Sequence, residues 1–292
     1  MMRIYTPILC CAALAQGSGQ RTTPPASGFT YTLTVTTQSP TSRPGVTGGQ
    51  GSENYVGNAS VLGSRGRLDI VEGGVAELFV KGDYLLFDSS EVVIVHPAKQ
   101  QFLLLTQQAL SSSGQLDTAG FKLTVSDEKV ALDSVGAGDT ISAFPTTRYR
   151  LTLGFNMDLD MTVMRTRVGS EAVTDYWVAS IPGMAPNPLL RSNGISGGVP
   201  GMLKALSLRV DSATARMGKT VVLRSSSTTR INAGPGQALE SHNSIAVTDV
   251  KRAAVDKNLL IVPIQYRVAP LPGLSADSLG DGAKWKAPPP IR

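Results

Sequence analysis

Between Gly66 and Leu105 the chain carries five short apolar runs: Leu68–Val71, Leu78–Val80, Tyr84–Phe87, Val92–Val95 and Phe102–Leu105. Turn chemistry separates them: Gly73-Gly74, Gly82-Asp83, Asp88-Ser89-Ser90 and His96-Pro97. Runs of about 4–6 residues between such breakers read as strands, and the gaps are too short for the crossover helix a parallel pair needs. The stretch therefore predicts an antiparallel meander. Leu85-Leu86, Val92–Val95 and Leu103–Leu105 are apolar at both parities. Strands of that kind are covered on both faces, so this part of the sheet requires two layers of cover.

Elsewhere the pattern is one-sided. Phe29, Tyr31, Leu33 and Val35 alternate with threonines, which predicts a strand with one buried and one wet face. Residues 39–54 read as a long loop. Phe121–Val125 returns to alternation, and Tyr149–Val163 keeps it long enough for one bent strand or for a hairpin turning near Asn156–Asp160. Val173–Ser180, Leu208–Asp211, Lys219–Arg224 and Ile245–Val250 read as further strands. Thr106–Ser113 reads as a short helix. Met202, Leu203 and Leu206 sit at helical spacing in Val199–Leu206, a candidate packing or lid helix. Two echoes hint at internal duplication: Tyr31–Val35 with Tyr149–Leu153, and Arg67–Asp69 with Arg209–Asp211.

The 292 residues suffice for one large β domain, 41% being hydrophobic and 17% charged. That balance supports a real core and argues against global disorder. Thirty glycines and 18 prolines favour many turns over long helices. The net charge of +5 is spread out, and the basic third quarter (Lys204 to Arg230) lacks interleaved aromatics, so a nucleic-acid partner is not expected.

Arg3, the apolar Ile4–Leu14 and the small-residue site Ala13-Leu14-Ala15 have the layout of an export signal cleaved after Ala15. The apolar part is too short for a resident membrane helix. Both cysteines, Cys10 and Cys11, fall inside it. Leu9 precedes Cys10, where a lipid-anchored chain would place a small residue, so secretion or periplasmic export fits better. Residues 16–27 then read as a linker, 28–268 as a single β domain and 269–292 as a Pro/Gly-rich tail.

Several motifs suggest chemistry. Val135–Thr140 (VGAGDT) resembles the phosphate-binding turn of sugar kinases, but that chemistry requires a following helix and here Pro145 and an alternating strand follow. A Gly-rich turn between strands is the expectation. Gly194–Gly198 fits the G-x-S-x-G elbow of serine hydrolases, with Ser196 as nucleophile and Asp211 and His242 as partners in order. Asp158 and Asp160 share a strand parity and could face one cation, and Met157, Met161 and Met164 could form an adaptable apolar surface. Two distant histidines, His96 and His242, without thiols do not make a zinc site. No metal or cofactor is expected.

Three segments taken together resemble exported bacterial domains with a lipoprotein-carrier-like (LolA-like) fold. They are the alternating opening strand with Gly66–Asp69, Val95–Phe102 (VHPAKQQF), and Val255–Pro263 followed by Tyr266. The resemblance implies a mostly β (α+β) fold: a strongly curved antiparallel sheet, an unclosed half-barrel, with a few short helices on its concave side. It also implies a non-enzymatic envelope protein holding an apolar small molecule, lipid or lipoprotein group. The helix such carriers place before the first strand is missing here. Leu86, Val93, Val95, Leu104, Leu153, Phe155 and Trp177 are the expected lining of the concave face. The competing expectations are a secreted hydrolase using Ser196 and a structural envelope module packed against a partner protein.

Overall fold

The computed structural model describes residues 26–38, 52–75, 78–88, 92–105, 121–161, 164–184, 204–232 and 238–269. The expected signal, the 106–113 helix, Ser196 and most of the expected linker and tail lie outside those residues; Ala26 and Ser27, expected in the linker, open the first strand instead, and the Ala269 amide donates to the Phe102 carbonyl. The described strands are β1 (Ala26–Gln38), β2 (Ser52–Leu62), β3 (Arg65–Val75), β4 (Phe79–Val80), β5 (Tyr84–Phe87), β6 (Val92–His96), β7 (Gln101–Leu105), β8 (Phe121–Ile141), β9 (Phe144–Met161), β10 (Met164–Ala179), β11 (Val221–Asn232), β12 (Ala238–Val255) and β13 (Arg267–Val268). Among the described residues there is one α-helix, α1 (Lys204–Ala215), which precedes β11.

These strands form one unclosed, curved, mostly antiparallel sheet, ordered β13-β7-β6-β5-β3-β2-β1-β12-β11-β10-β9-β8, with β4 paired to β3 off that path. The mostly β fold with one curved, unclosed sheet, which the resemblance implied, is what the chain forms. Two meanders, β1–β7 and β8–β12, are joined through the β1–β12 pair in the middle of the sheet. β13 is the exception in direction, pairing parallel to β7.

The opening strand behaves as its alternation requires. Phe29, Tyr31, Leu33 and Val35 are buried, and the intervening threonines are half-exposed. Its partner β2 has a weaker apolar signal because the small residues Gly57 and Ala59 occupy two of its buried positions. At Gly57 an added Cβ would lie 2.6 Å from Leu68 Cδ1, so Leu68 of β3 fills the space a side chain would take. The β2–β3 turn, Gly63-Ser64, has Gly63 at φ 60°, the choice of a two-residue type II′ hairpin.

Two expectations change, and one open alternative closes. Val135–Thr140 is not a turn between strands but part of β8, bulged at Gly136 (φ 113°) and again between Ala137 and Thr140. The turn falls later, at Ser142-Ala143, where both residues take positive φ as a type I′ turn demands. Of the two alternatives for Tyr149–Val163, the single long strand is what forms and the hairpin near Asn156 is not: β9 runs unbroken to Met161. Leu208–Asp211 is helical, not a strand: Leu206, Val210 and Met217 recur at helical spacing and all three are buried against the sheet. With Arg209–Asp211 in a helix and Arg67–Asp69 in β3, the second of the two sequence echoes has no structural counterpart.

Side-chain parity divides the sheet into an inner and an outer face. The inner face holds the main cluster, which joins Leu33 of β1, Leu68 of β3, Ile94 of β6, Leu151 of β9 and Leu223 of β11 to Leu206 and Val210 of α1. Among the described residues α1 also guards the β8 edge. Arg209 donates to the Glu128 carbonyl at 3.4 Å, and Arg216 to that of Leu132 at 3.3 Å. A long edge strand is an invitation to pair with another chain; here bulges and arginine donors blunt it.

Candidate functional site

The inner face contains a recess of about 190 Å3 between α1 and strands β10 and β11, lined by Tyr176, Val210, Asp211, Thr214, Ala215, Met217 and Val222. The geometry that makes it is simple. Tyr176, Val210, Met217 and Val222 are buried, whereas Ala215 and Asp211 stand at the exposed rim. Burial raises the Tyr176 hydroxyl pKa well above the ordinary phenol value, with a hydrogen bond to Thr174 opposing the shift, so the ring presents a neutral wall. The Thr214 hydroxyl donates back to the Val210 carbonyl at 2.9 Å and is thereby satisfied within the helix.

The seven residues expected to line one face do not share one. Leu153 and Phe155 belong to the inner face with Leu151. Leu86, Val93, Val95 and Leu104 point the other way. Cross-strand register links Arg67 to Leu86, Leu86 to Val93 and Val93 to Leu104, and these pairs continue the polar outer side of β1 and β2. There they form a separate outer cluster with Tyr84, Phe102, Val262 and Tyr266. Their cover is the chain's own segment 256–268, which crosses the outer face and returns as β13. Arg67 completes that cover, its guanidinium 3.7 Å from the centre of the Tyr84 ring and 2.6 Å from Asp69 Oδ1. Burial raises the Tyr84 pKa, and the Arg67 charge acts against that rise.

Trp177 is opposite in parity to the buried Tyr176. Its ring lies between the guanidiniums of Arg148 (5.1 Å) and Arg224 (5.3 Å). Asp175 takes hydrogen bonds from Arg148 at 2.7 Å and from Arg150 at 2.8 and 2.9 Å, and Arg224 donates to Asp139 at 2.7 Å. The Asp175 carboxyl is held below its ordinary pKa, chiefly by the Arg150 hydrogen bond, while partial burial works in the opposite direction. The cluster is a charge-compensated surface ladder around one aromatic ring.

The residues singled out for chemistry are not brought together. Asp211 stands at the recess rim, while His242 is on β12, engaged by Thr228 at 3.1 Å and Glu240 at 3.2 Å. Among the described residues no hydrogen bond or ion pair joins the two. Asp158 faces Arg167 at 3.8 Å, and no group of three or more His, Cys, Asp or Glu side chains converges among the described residues. Met157 is half-buried; the side chains of Met161 and Met164 are outside the described set.

Two features went unread in the sequence. One is the recess itself, whose signal was the Leu206, Val210, Met217 spacing continuing past Leu206. The other is a buried Asp83–His96 pair, in which His96 Nδ1 donates to Asp83 Oδ2 at 2.9 Å. The same oxygen accepts from the Val80 amide at 2.9 Å, and the Asp83 carbonyl accepts from Ile70 N at 2.9 Å. Asp83 thus ties β3, β4 and β6 together.

No family model matches the chain, and no curated protein matches it. Among solved structures, the crystal structure of an uncharacterized conserved protein from Thermus thermophilus aligns over 82% of this chain and 89% of its own, at 10% identity and a TM-score of 0.30. A likeness at that level adds nothing to the fold or to the function. No helix among the described residues is long and apolar enough to cross a membrane.

Proposed function

We propose that the chain is an exported, non-enzymatic cell-envelope protein of lipoprotein-carrier-like design that holds an apolar group on the inner face of its sheet. The observation that carries this reading is the recess between α1 and β10–β11, whose deep walls are Tyr176, Val210, Met217 and Val222. Its size sets the class of ligand. Drug-sized ligands occupy pockets of roughly 300–1,000 Å3, so about 190 Å3 suits the end of one acyl chain and not a whole lipid. The export pattern at the N-terminus supports placing that activity in the periplasm or outside the cell.

The reading is tested by titrating the purified protein with a fluorescent fatty acid and by extracting it with organic solvent. Saturable uptake with an affinity in about the micromolar range is expected. Ala215→Trp, placed at the exposed rim, should weaken that uptake by about tenfold without disturbing the core. Absence of both extracted lipid and fatty-acid uptake would overturn the proposal; unchanged uptake by Ala215→Trp would put the ligand elsewhere.

A further inference from the structure

The segment crossing the outer face is itself two-sided. Its inward residues anchor it: Leu260 packs with Leu62 and Val255, and Val262 and Tyr266 sit on the outer cluster. The Asp256 side chain caps the 3-10 turn Lys257–Leu260 by accepting from Asn258 N at 2.9 Å. The Tyr266 amide closes a second turn on the Pro263 carbonyl at 3.0 Å, and Arg267 N and Ala269 N bond Gln100 O and Phe102 O at 3.0 and 2.8 Å.

A segment clamped down on one side normally turns polar residues to water. This one turns Leu259 (44% exposed), Ile261 (44%), Ile264 (101%) and Val268 (41%) outward. They are four of the ten exposed large hydrophobic side chains among the described residues, gathered in one short stretch, with Ile264 at the turn closed by Pro263 and Tyr266. The flanking charges are mostly positive. Lys251, Lys257 and Arg267 stand against Asp256 within 251–269, Arg252 being turned to the inner face over the Phe29 ring and onto the Pro182 carbonyl, and exposed Lys99 lies beside the Gln100 carbonyl that holds Arg267.

We propose that this outward row is a docking surface for an anionic lipid bilayer. Protruding aliphatic side chains enter the headgroup boundary, and the cationic rim meets the negative lipid surface. Apolar area and basic charge are the two terms that set interfacial binding. A protein partner of ordinary interface composition would instead be met by a patch with aromatic residues and few lysines. The surface is on the face opposite the recess, so the proposal stands whether or not the recess takes a ligand.

The test is co-sedimentation of the full chain with extruded phosphatidylcholine vesicles containing about one-third phosphatidylglycerol, beside pure phosphatidylcholine vesicles. The wild type should bind the anionic vesicles and lose most of that binding when salt is raised. Ile264→Asp should lower the partition coefficient by about tenfold. Lys99→Glu with Arg267→Glu should remove the preference for anionic lipid. Because Ile264 is fully exposed, Ile264→Asp should keep the wild-type circular dichroism and fatty-acid uptake. Failure of the wild type to bind, or equal binding by Ile264→Asp, overturns the proposal. A wild-type dimer that Ile264→Asp dissociates, with no vesicle binding by either, also overturns it and assigns the row to a second copy of the chain. Vesicle binding without any fatty-acid uptake upholds it and discards only the recess.

Discussion

On β5, β6 and β7 both faces are buried; on β8, β9 and β10 only the inner face is. The first group has short strands with aliphatic side chains on each parity, sandwiched between the inner cluster and the crossing segment 256–268. The second has long strands whose outer side carries Asp139, Arg148, Arg150, Asp175 and Trp177 in an ion ladder that Arg224 of β11 completes. One sheet thus uses two chemistries for its outer face. Where the outer side chains are apolar, the chain lays its last described segment over them; where they are charged, water serves, and length of pairing replaces depth of cover. The difference teaches that an apolar surplus in a strand specifies only that a cover exists, and the cover can be the protein itself.

The largest expected effect lies in the doubly covered half. Phe102→Ala removes a ring shared by β7, Val95 and Val262 and should cost about 3–5 kcal/mol in urea unfolding. Val173→Ala, on the wet face of β10, should stay within about 0.5 kcal/mol. Equal losses would end the contrast between the halves. Asp83→Ala comes next, at about 2–3 kcal/mol, because it leaves buried His96 and the Val80 amide without an acceptor. Hydrogen exchange should show β4 opening first in that variant, since β4 is only two residues long and that carboxylate accepts from its Val80 amide.

A third change probes the ladder through its packing. At Gly138 an added Cβ would lie 2.5 Å from Thr146 Oγ1 and 2.8 Å from Trp177 Cδ1, so Gly138→Ala must push the indole off its seat. The cost should be about 1–2 kcal/mol, accompanied by a shift in Trp177 emission, read in a Trp285→Phe background. An unshifted spectrum would mean the ring is not held between the two arginines.

Much of this was legible beforehand, for identifiable reasons. Alternation placed β1 and its buried parity, because a half-wet strand has only one way to face. The double apolarity of Leu85-Leu86 and Val92–Val95 correctly required two covers. It could not say which parity faced inward: a strand apolar on both sides has lost the polar marker that orients it. The sequence therefore offers nothing to separate Leu86, Val93, Val95 and Leu104 from Leu153. β2 stayed unread because Gly57 and Ala59 occupy buried positions with almost no apolar surface, their volume supplied by Leu68. Leu208–Asp211 reads as a strand because the four-residue window is blind to the Leu206-to-Met217 spacing that makes it helical.

The smallest effect, and the sharpest on the chemistry of the wet half, comes from Asp175. Its folded-state pKa is depressed below the unfolded value of about 3.9, so its ion pairs contribute stability that is complete above that pH and fades as pH falls toward the folded value. Asp175→Asn should therefore lower the midpoint temperature by a constant amount from neutral pH down to about 4, and the gap to wild type should close below that. Because the arginines are partly exposed, solvent and salt screen the pairs, and the gap should shrink further at about 1 M salt. Phe102→Ala should keep its deficit across the same pH and salt range, since burial of a ring has no proton or counter-ion to lose. If both deficits respond alike to acid and salt, the outer faces of the two halves are held by the same forces and the contrast between them fails.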